Sequence, residues 1–488
     1  MRKIFITSII ALVSFASCKK SYLDTFPTDN VASASAFKTS ADALLVLNGV
    51  HRATYSRETQ GDYGQPSMMI YMDMLGEDLV MNAVGNGWYN NEYKWLSHRN
   101  ENSGLCSYAY RFYYRIIANV NLIIANIDAA SGPQAEKNYV KGNALAYRAW
   151  CHFNLVQLFG KRYDKSAANT QLGVPLMVTP TSDGQARATV EEVYTQINAD
   201  LNAAIILLTT TRPNKSHLNV NVVRGIKARV ALTQQNWSLA ATEAAAARAG
   251  FSLMSNAQYL DGFVNYANPE WMWGIDHIDD QSGFFGAFHS YLSCNYNSTN
   301  IRTNPKSINK LIYDALPATD IRSKCWDKTG SLTAIVPAGG IRRPYMTQKF
   351  KLEGLAPSTI TQGDVVYMRA AEMYLIEAEA KARNNDEPGA RTALFTLVNN
   401  RNPSYVMSTN TGQALINEIM FHRRVELWGE GFRFLDLKRL NLPLDRNGSN
   451  HILALANIFD MPAGNNAWEF LIPRGELNAN PLCVQNPL

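Results

Sequence analysis

Apolar residues that recur at intervals of three and four dominate this chain, and that period leaves few ways to build a core. Tyr113, Ile116, Val120, Ile123 and Ile127 repeat in this manner, so residues 105–128 read as one amphipathic helix. Val190, Val193, Ile197, Leu201, Ile205 and Leu208 do the same behind Thr189, an N-cap candidate with Glu192 at the capping-box position. Further helices fit 37–54, 135–159, 220–235, 238–249, 365–384, 388–401 and 412–428. Each hides only one face, so the expected class is all-α, helix packed on helix.

Small residues punctuate these helices. Ala228, Ala231, Ala240, Ala241 and Ala244 surround Trp237; Ala371, Ala378 and Ala382 precede Pro388 and Gly389, which open the next helix with Ala390, Ala393, Leu394 and Leu397. Small side chains let two axes approach while a large ring fills the gap. The pattern is that of tetratricopeptide-like helix pairs, with a degenerate repeat. Residues 135–159 and 190–208 make another candidate pair. Two stretches break the period, 56–104 and 250–364, and residues 251–300 hold eleven of the chain's 51 Phe, Tyr and Trp. Long loops of this aromatic content read as a recognition surface carried on a helical frame of about 30–55, 105–250 and 365–440.

The first residues carry an export signal. Arg2 and Lys3 precede the apolar run Ile4 to Val13, far too short to span a bilayer, and then comes SFASCKK. A cysteine behind Ala16-Ser17 resembles a bacterial lipobox, with Phe15 where Leu is usual, so residues 1–17 read as a lipoprotein signal peptide and Cys18 as the acylated residue. A plain secretory signal with an incidental cysteine is the alternative. Of the six cysteines, the remaining five are an odd number at wide spacing, which is no disulfide framework and no metal motif. The net charge of +5 is spread out, with no basic block for nucleic acid. The eight histidines are scattered, HIDDQ at 277–281 lacks calcium-loop spacing, and there is no phosphate loop or nucleophile elbow. No metal or cofactor is expected.

The stretch RRVELWGEGFRFLDLKRL, Arg423 to Leu440, sets four arginines and three carboxylates among bulky apolar residues. On a helix over 412–430, Ile416, Ile419, Met420 and Leu427 form the apolar stripe, Arg423 falls inside it, and Glu426 and Glu430 continue it. Buried charges must be paired. Glu426 is spaced to meet Arg423, and Glu377 is placed to meet Arg423 or Arg424 across helices. A glycosidase-like carboxylate pair, Glu426 with Glu430 or Asp436, is the competing reading. Crowding arginines lower a carboxyl pKa, whereas a general acid needs it raised, so these residues read as a structural ion network.

This stretch resembles the C-terminal signature of the SusD/RagB family of outer-membrane nutrient-binding lipoproteins. YLDTFPT, RIIANVNLIIANID, GNALAYRAWCHFNLVQLFG, GVPL, ATVEEVYTQINADLNAAI, GIKARVALTQQNWSLAATEA, VVYMRAAEMYLIEAEAKAR and WEFLIPRGELNANP agree with it in order along nearly the whole mature chain. The resemblance implies one helical domain over residues 18–488 and a lipid anchor on the outer membrane facing outward. It further implies a TonB-dependent SusC-like transporter as partner, an oligomeric nutrient (most often a glycan) as ligand, and no catalysis. Lys19 and Lys20 depart from the acidic residues associated with surface export.

The resemblance carries over no ligand residues, so the candidates come from chemistry. Sugars present apolar C–H faces rimmed by hydroxyls and suit exposed rings beside amides. GNGWYNNEYKW, Gly85 to Trp95, offers Trp88, Tyr89, Asn90 and Asn91; a second cluster is Tyr291, Asn295 and Tyr296; a third is Trp271 with Trp273, one of which should face the core; Trp326 after Asp320 and Arg322 is a fourth. Each ring has a bland alternative, plugging a loop onto a helix. Peptide cargo on the same architecture, and a glycoside hydrolase, are the competing functions.

Overall fold

The computed structural model describes residues 36–59, 61–278, 288–331, 336–352 and 363–488. The signal segment 1–17, Cys18, the start of the 30–55 frame segment and Asp279 to Gln281 of HIDDQ lie outside them.

The frame is helical. In chain order its main helices are α1 Ser40–Ala53, α2 Gln65–Met74, α3 Gly104–Asn126, α4 Gln134–Phe159, α5 Val190–Leu207, α6 Val220–Thr233, α7 Trp237–Ala247, α8 Ala370–Arg383, α9 Glu387–Arg401, α10 Gly412–Glu426 and α11 Arg433–Arg439. Neighbours pack in succession: α3 on α4, α4 on α5, α6 on α7, α8 on α9, with α7 also against α8 and α10 against α8. Local chemistry starts them. Thr189 and Glu192 close a capping box on α5, and Thr39 and Asp42 close one on α1. The Asp386 carboxylate accepts from Gly389 N to open α9, with Pro388 in its first turn. The end of α4 is capped from far away: Lys438 Nζ donates to the carbonyls of Gln157 at 2.7 Å and Gly160 at 2.8 Å, where the helix dipole favours a cation.

Small residues sit where helices meet. Ala228, Ala231, Ala240 and Ala244 are buried between α6 and α7, and Ala371, Ala378, Ala390 and Ala393 with Leu394 and Leu397 between α8 and α9. Trp237 is not enclosed by its alanines. It is half-buried, with the Arg383 guanidinium 5.4 Å over its ring, so it joins α7 to α8. Gly431 shows why the chain can turn after α10. Its φ is +83°, and a Cβ there would lie 2.6 Å from the Met69 Cα, so only glycine fits against α2.

Two readings change. Residues 365–369 are a strand, not the first turn of a helix. They pair antiparallel with Trp271–Ile275, and the helix begins at Ala370. Val365, Val366 and Tyr367 favour a pleated surface, and their partner lies some ninety residues earlier, beyond any local window. Both Trp271 and Trp273 are buried by this pairing. The irregular regions also hold more order than their sequence shows. They include α2 and an antiparallel four-stranded sheet in the order Leu79–Met81, Lys306–Ile308, Met346–Thr347, Trp326–Asp327.

The core also contains neutral imidazoles. His98, His152 and His289 are fully buried, and burial pushes them down to about 3, about 3 and about 4. An imidazole whose folded value lies below its unfolded value near 6.5 adds stability that is complete above about pH 6.5 and drains as pH falls toward the folded value. Each contributes up to about 1.4 kcal/mol per pH unit in that window. The urea midpoint should therefore drop steadily between about pH 6.5 and about pH 5, and a flat profile there would contradict the neutral, buried state of these rings.

Candidate functional site

Two groups of residues compete for the role of site: the acids near the C-terminus and the aromatic loops. The acids are interior. The Glu426 carboxylate accepts from Arg369 Nη1 at 2.6 Å, Arg401 Nη2 at 3.0 Å and Arg322 Nη1 at 3.1 Å. Arg369 also grips Glu430 with two nitrogens at 2.8 and 2.9 Å and Glu270 at 2.7 Å. Arg401 reaches Glu270 at 2.7 Å, Arg322 reaches Asp320 at 2.7 Å, and Lys349 Nζ reaches Glu430 at 2.7 Å. All eight of these groups are buried, and the four cations balance the four carboxylates.

Burial alone would raise the Glu426 carboxyl, but Arg401, Arg369 and Arg322 hold it well below the usual carboxylate range. Glu430 is lowered against its burial by Arg369 and Lys349, and Asp436 is held at about 2 by Arg423 and Arg439. Acids so depressed and dry cannot deliver a proton at neutral pH, so neither Glu426 with Glu430 nor Glu426 with Asp436 can serve as an acid–base pair.

The pairings differ from those read off one helix. Arg423 binds Asp436 at 2.7 Å, not Glu426; Arg424 binds Asp78 at 2.6 Å; Glu377 binds Arg248 at 2.5 Å and Lys381 at 2.8 Å, not Arg423 or Arg424. The reason is a rotation of the buried stripe, which runs through Leu415, Ile419, His422 and Glu426, leaving Ile416 and Met420 half-buried. Glu426 therefore points at arginines from distant segments.

The loop of residues 85–95 behaves differently. Tyr89 and Trp95, near its middle and at its end, adopt left-handed backbone with φ of +63° and +61°, costly for bulky residues. Both are held by burial. The Tyr89 ring meets Tyr71 edge-on at 5.3 Å and Tyr291 at 5.0 Å, and Trp95 Nε1 donates to Leu75 O at 2.9 Å. These rings pin a short helix, Asn90–Tyr93, and set Trp88 on the rim of a pocket of about 570 Å³. Trp88 is half-buried, backed by Gly61, where a Cβ would come within 3.3 Å of the indole, and braced by Tyr291 at 5.9 Å.

Polar side chains share the rest of that pocket with Leu96 and Leu105. Asn91, Asn100, Asp62 and Glu92 line it with Tyr71 and Ser97. The Asp62 carboxylate accepts from Thr59 Oγ1 at 2.9 Å and Tyr71 OH at 3.3 Å, and Glu92 accepts from Ser97 Oγ at 2.7 Å. Burial raises both carboxyls. A wider groove of about 760 Å³ runs along α3, but Ile117, Leu122, Pro175, Met177 and Pro180 make it mainly apolar.

The expected ligand residues thus divide. Trp88, Tyr89 and Asn91 line one pocket. Asn90 adjoins it but spends its amide on Val84 O at 3.2 Å. The other candidates are structural. Tyr291 is buried as a brace behind Trp88; Asn295 is buried, bonding Leu352 N at 2.8 Å and Leu352 O at 3.0 Å; Tyr296 is buried with Val264, Ile301 and Leu352; Trp326 is buried edge-on to Trp428. Hydrophobic rings in long loops are the means by which those loops adhere to the frame, and that use took the three rings, while Asn295 ties its loop to the Leu352 backbone. Sequence reasoning missed Asp62 and Glu92. Glu92 stands four residues after Trp88 in the quoted stretch; only the fold brings Asp62 to it.

A helical frame that pins an aromatic, carboxylate-lined pocket with buried rings defines a binding protein of a recognisable class. A family model described as starch-binding associating with outer membrane matches residues 29–232, and a SusD family model matches residues 339–488. The chain belongs to the SusD/RagB family. SusD-like protein P2 of Formosa agariphila is 25% identical over 100% of this chain and 99% of its own. A SusD-like carbohydrate binding protein of Bacteroides vulgatus superposes with a TM-score of 0.81 at 25% identity, covering 92% of this chain and 98% of that one. A laminarin binding SusD-like protein superposes with a TM-score of 0.71 at 20% identity, covering 92% and 100%.

The ion lattice sets an order of stability among substitutions. Glu426→Gln leaves three buried guanidinium groups short of a counter-charge and should cost about 3–5 kcal/mol in urea unfolding. Arg423→Ala should cost less than half as much, because Asp436 keeps Arg439 at 2.8 Å. Equal losses would show that the two clusters are not separate.

Proposed function

We propose that this protein captures an oligomeric glycan in the Trp88 pocket and passes it to a TonB-dependent, SusC-like outer-membrane transporter. The mature chain, Cys18 to Leu488, acts as one unit held to the outer membrane by lipid on Cys18, facing the cell exterior. The observation that carries this reading is Trp88 itself, a half-buried indole held at a pocket rim beside two carboxylates and two amides. Such a ring stacks on the C–H face of a sugar while carboxylate and amide oxygens accept from its hydroxyls. The family descriptions and the laminarin-binding relative support the same ligand class, and the lipobox at Cys18 supports the anchor. The pocket walls come from helices and turns, with no strand edge to pair an extended peptide among the described lining residues, which favours sugar over peptide. The Glu426 cluster offers no acid–base pair, which favours binding over hydrolysis.

The full chain in detergent should be retarded in native gels containing at least one polysaccharide of a broad panel. Trp88→Ala should weaken that binding about tenfold or more, with the melting temperature near that of the parent. Tyr296→Ala should instead lower stability by about 3–5 kcal/mol. Retardation untouched by Trp88→Ala would move the site elsewhere.

A further inference from the structure

The pocket's charge carries more than its existence. Its charged walls among the described residues are Asp62, on the turn before α2, and Glu92, on the short helix that Tyr89 and Trp95 pin. Neither has a Lys or Arg nitrogen within ion-pair distance among the described residues. The neighbouring cations are spent next door: Arg111 binds Glu58 at 2.7 Å, and Arg115 binds the other oxygen of the same carboxylate. Arg57, on the same turn, is exposed and is not a pocket wall. This contrasts with the interior, where Glu426 alone is met by three guanidinium groups.

We propose that Asp62 and Glu92 make this pocket selective for uncharged glycans and close it to polymers bearing carboxylate or sulfate. The inference rests on the glycan-binding reading above. The internal partners of these acids, Thr59, Tyr71 and Ser97, leave lone pairs on the carboxylate oxygens, since each oxygen can accept twice. Sugar hydroxyls complete those bonds, and a bond to an ionised acceptor is about twice as strong as a neutral one. A uronate or a sulfate ester brings acceptors only. It meets two like charges in a partly desolvated wall, with no Lys or Arg among the described lining residues, and repulsion there is weakly screened. Burial raises both carboxyls, with Arg111 only a lesser influence on Asp62, in line with acids held without a counter-ion.

The test uses the full chain in detergent and native gels containing neutral polymers (starch, laminarin, galactomannan), acidic ones (alginate, polygalacturonate, fucoidan), and the carboxymethyl derivative of whichever neutral polymer binds. The retarding polymers should be neutral, and the carboxymethyl derivative should bind at least about tenfold more weakly than its parent. The double variant Asp62→Asn with Glu92→Gln keeps the shape of the pocket and one acceptor oxygen on each side chain while removing both charges. It should bring the derivative to within about threefold of the parent polymer, with unchanged circular dichroism. Trp88-dependent binding of an acidic polymer, or discrimination that survives the double variant, would overturn this inference and leave glycan binding standing. Binding indifferent to Trp88→Ala would place the site elsewhere and overturn this inference alone, whereas retention of no polymer would overturn the glycan reading and this inference with it.

Discussion

Arg369 is the residue on which the rest of the structure turns. It stands where the strand 365–369 becomes α8, and its guanidinium touches three carboxylates from three places: Glu270 before the partner strand, Glu426 at the end of α10 and Glu430 in the turn beyond. Through those acids it reaches Arg401 at the end of α9, Arg322 with Asp320, and Lys349. Buried ion pairs contribute little net stability against apolar replacements, because desolvation offsets attraction. What they add here is position. An apolar contact can slide by a residue at small cost, but a two-nitrogen grip on a carboxylate cannot. The irregular region, rich in turns and expensive to order, is held at defined points on the helices in this way.

That anchoring explains why so few aromatic residues of the loops are offered to solvent. Tyr63, Tyr89, Trp95, Tyr291, Tyr296 and Trp326 all face inward. They act with the ion lattice, the rings supplying apolar area and the charges supplying register. Two of them, Tyr89 and Trp95, accept left-handed backbone to do so, which packing on every side sustains. The outcome is one indole, Trp88, held on a braced support. A platform already in place loses little freedom on binding, and that favours affinity more than extra contacts on a loose loop would.

The helical frame was legible because its information is local. The period of three and four, the Thr189–Glu192 cap and the alanines of facing helices all lie within one window of sequence. The strand at 365–369 was not, since its partner at 271–275 is remote and a short apolar run has no decisive period. The partners of Arg423, Arg424 and Glu377 were misassigned for a related reason. Helical spacing supplies several candidates and does not choose among them: Arg423 takes Asp436 from the next helix rather than Glu426 from its own, while Asp78 and Arg248 come from remote segments. In the pocket, Trp88 and Asn91 were legible as residue types, but exposure was not. Composition alone does not separate a ring that meets cargo from one that pins a loop, as Tyr296 and Trp326 show. Asp62 was invisible because nothing near it in the chain marks a site.

Glu426 and Glu92 show what decides the role of a carboxylate. Both are glutamates withdrawn from bulk water, and both feel burial as the largest influence on their acidity. For Glu426 three arginines overcome that influence, so the group stays ionised and its bonding capacity is consumed inside the protein. For Glu92 the Ser97 hydroxyl and a backbone N–H only partly offset burial, so its acidity is weakened and acceptor capacity is left facing a cavity. The first arrangement makes a joint, and the second leaves acceptors free for the glycan proposed above. A dense run of charges in the sequence is therefore a poor guide to a site, and an acid left without a cation beside an open ring is a better one.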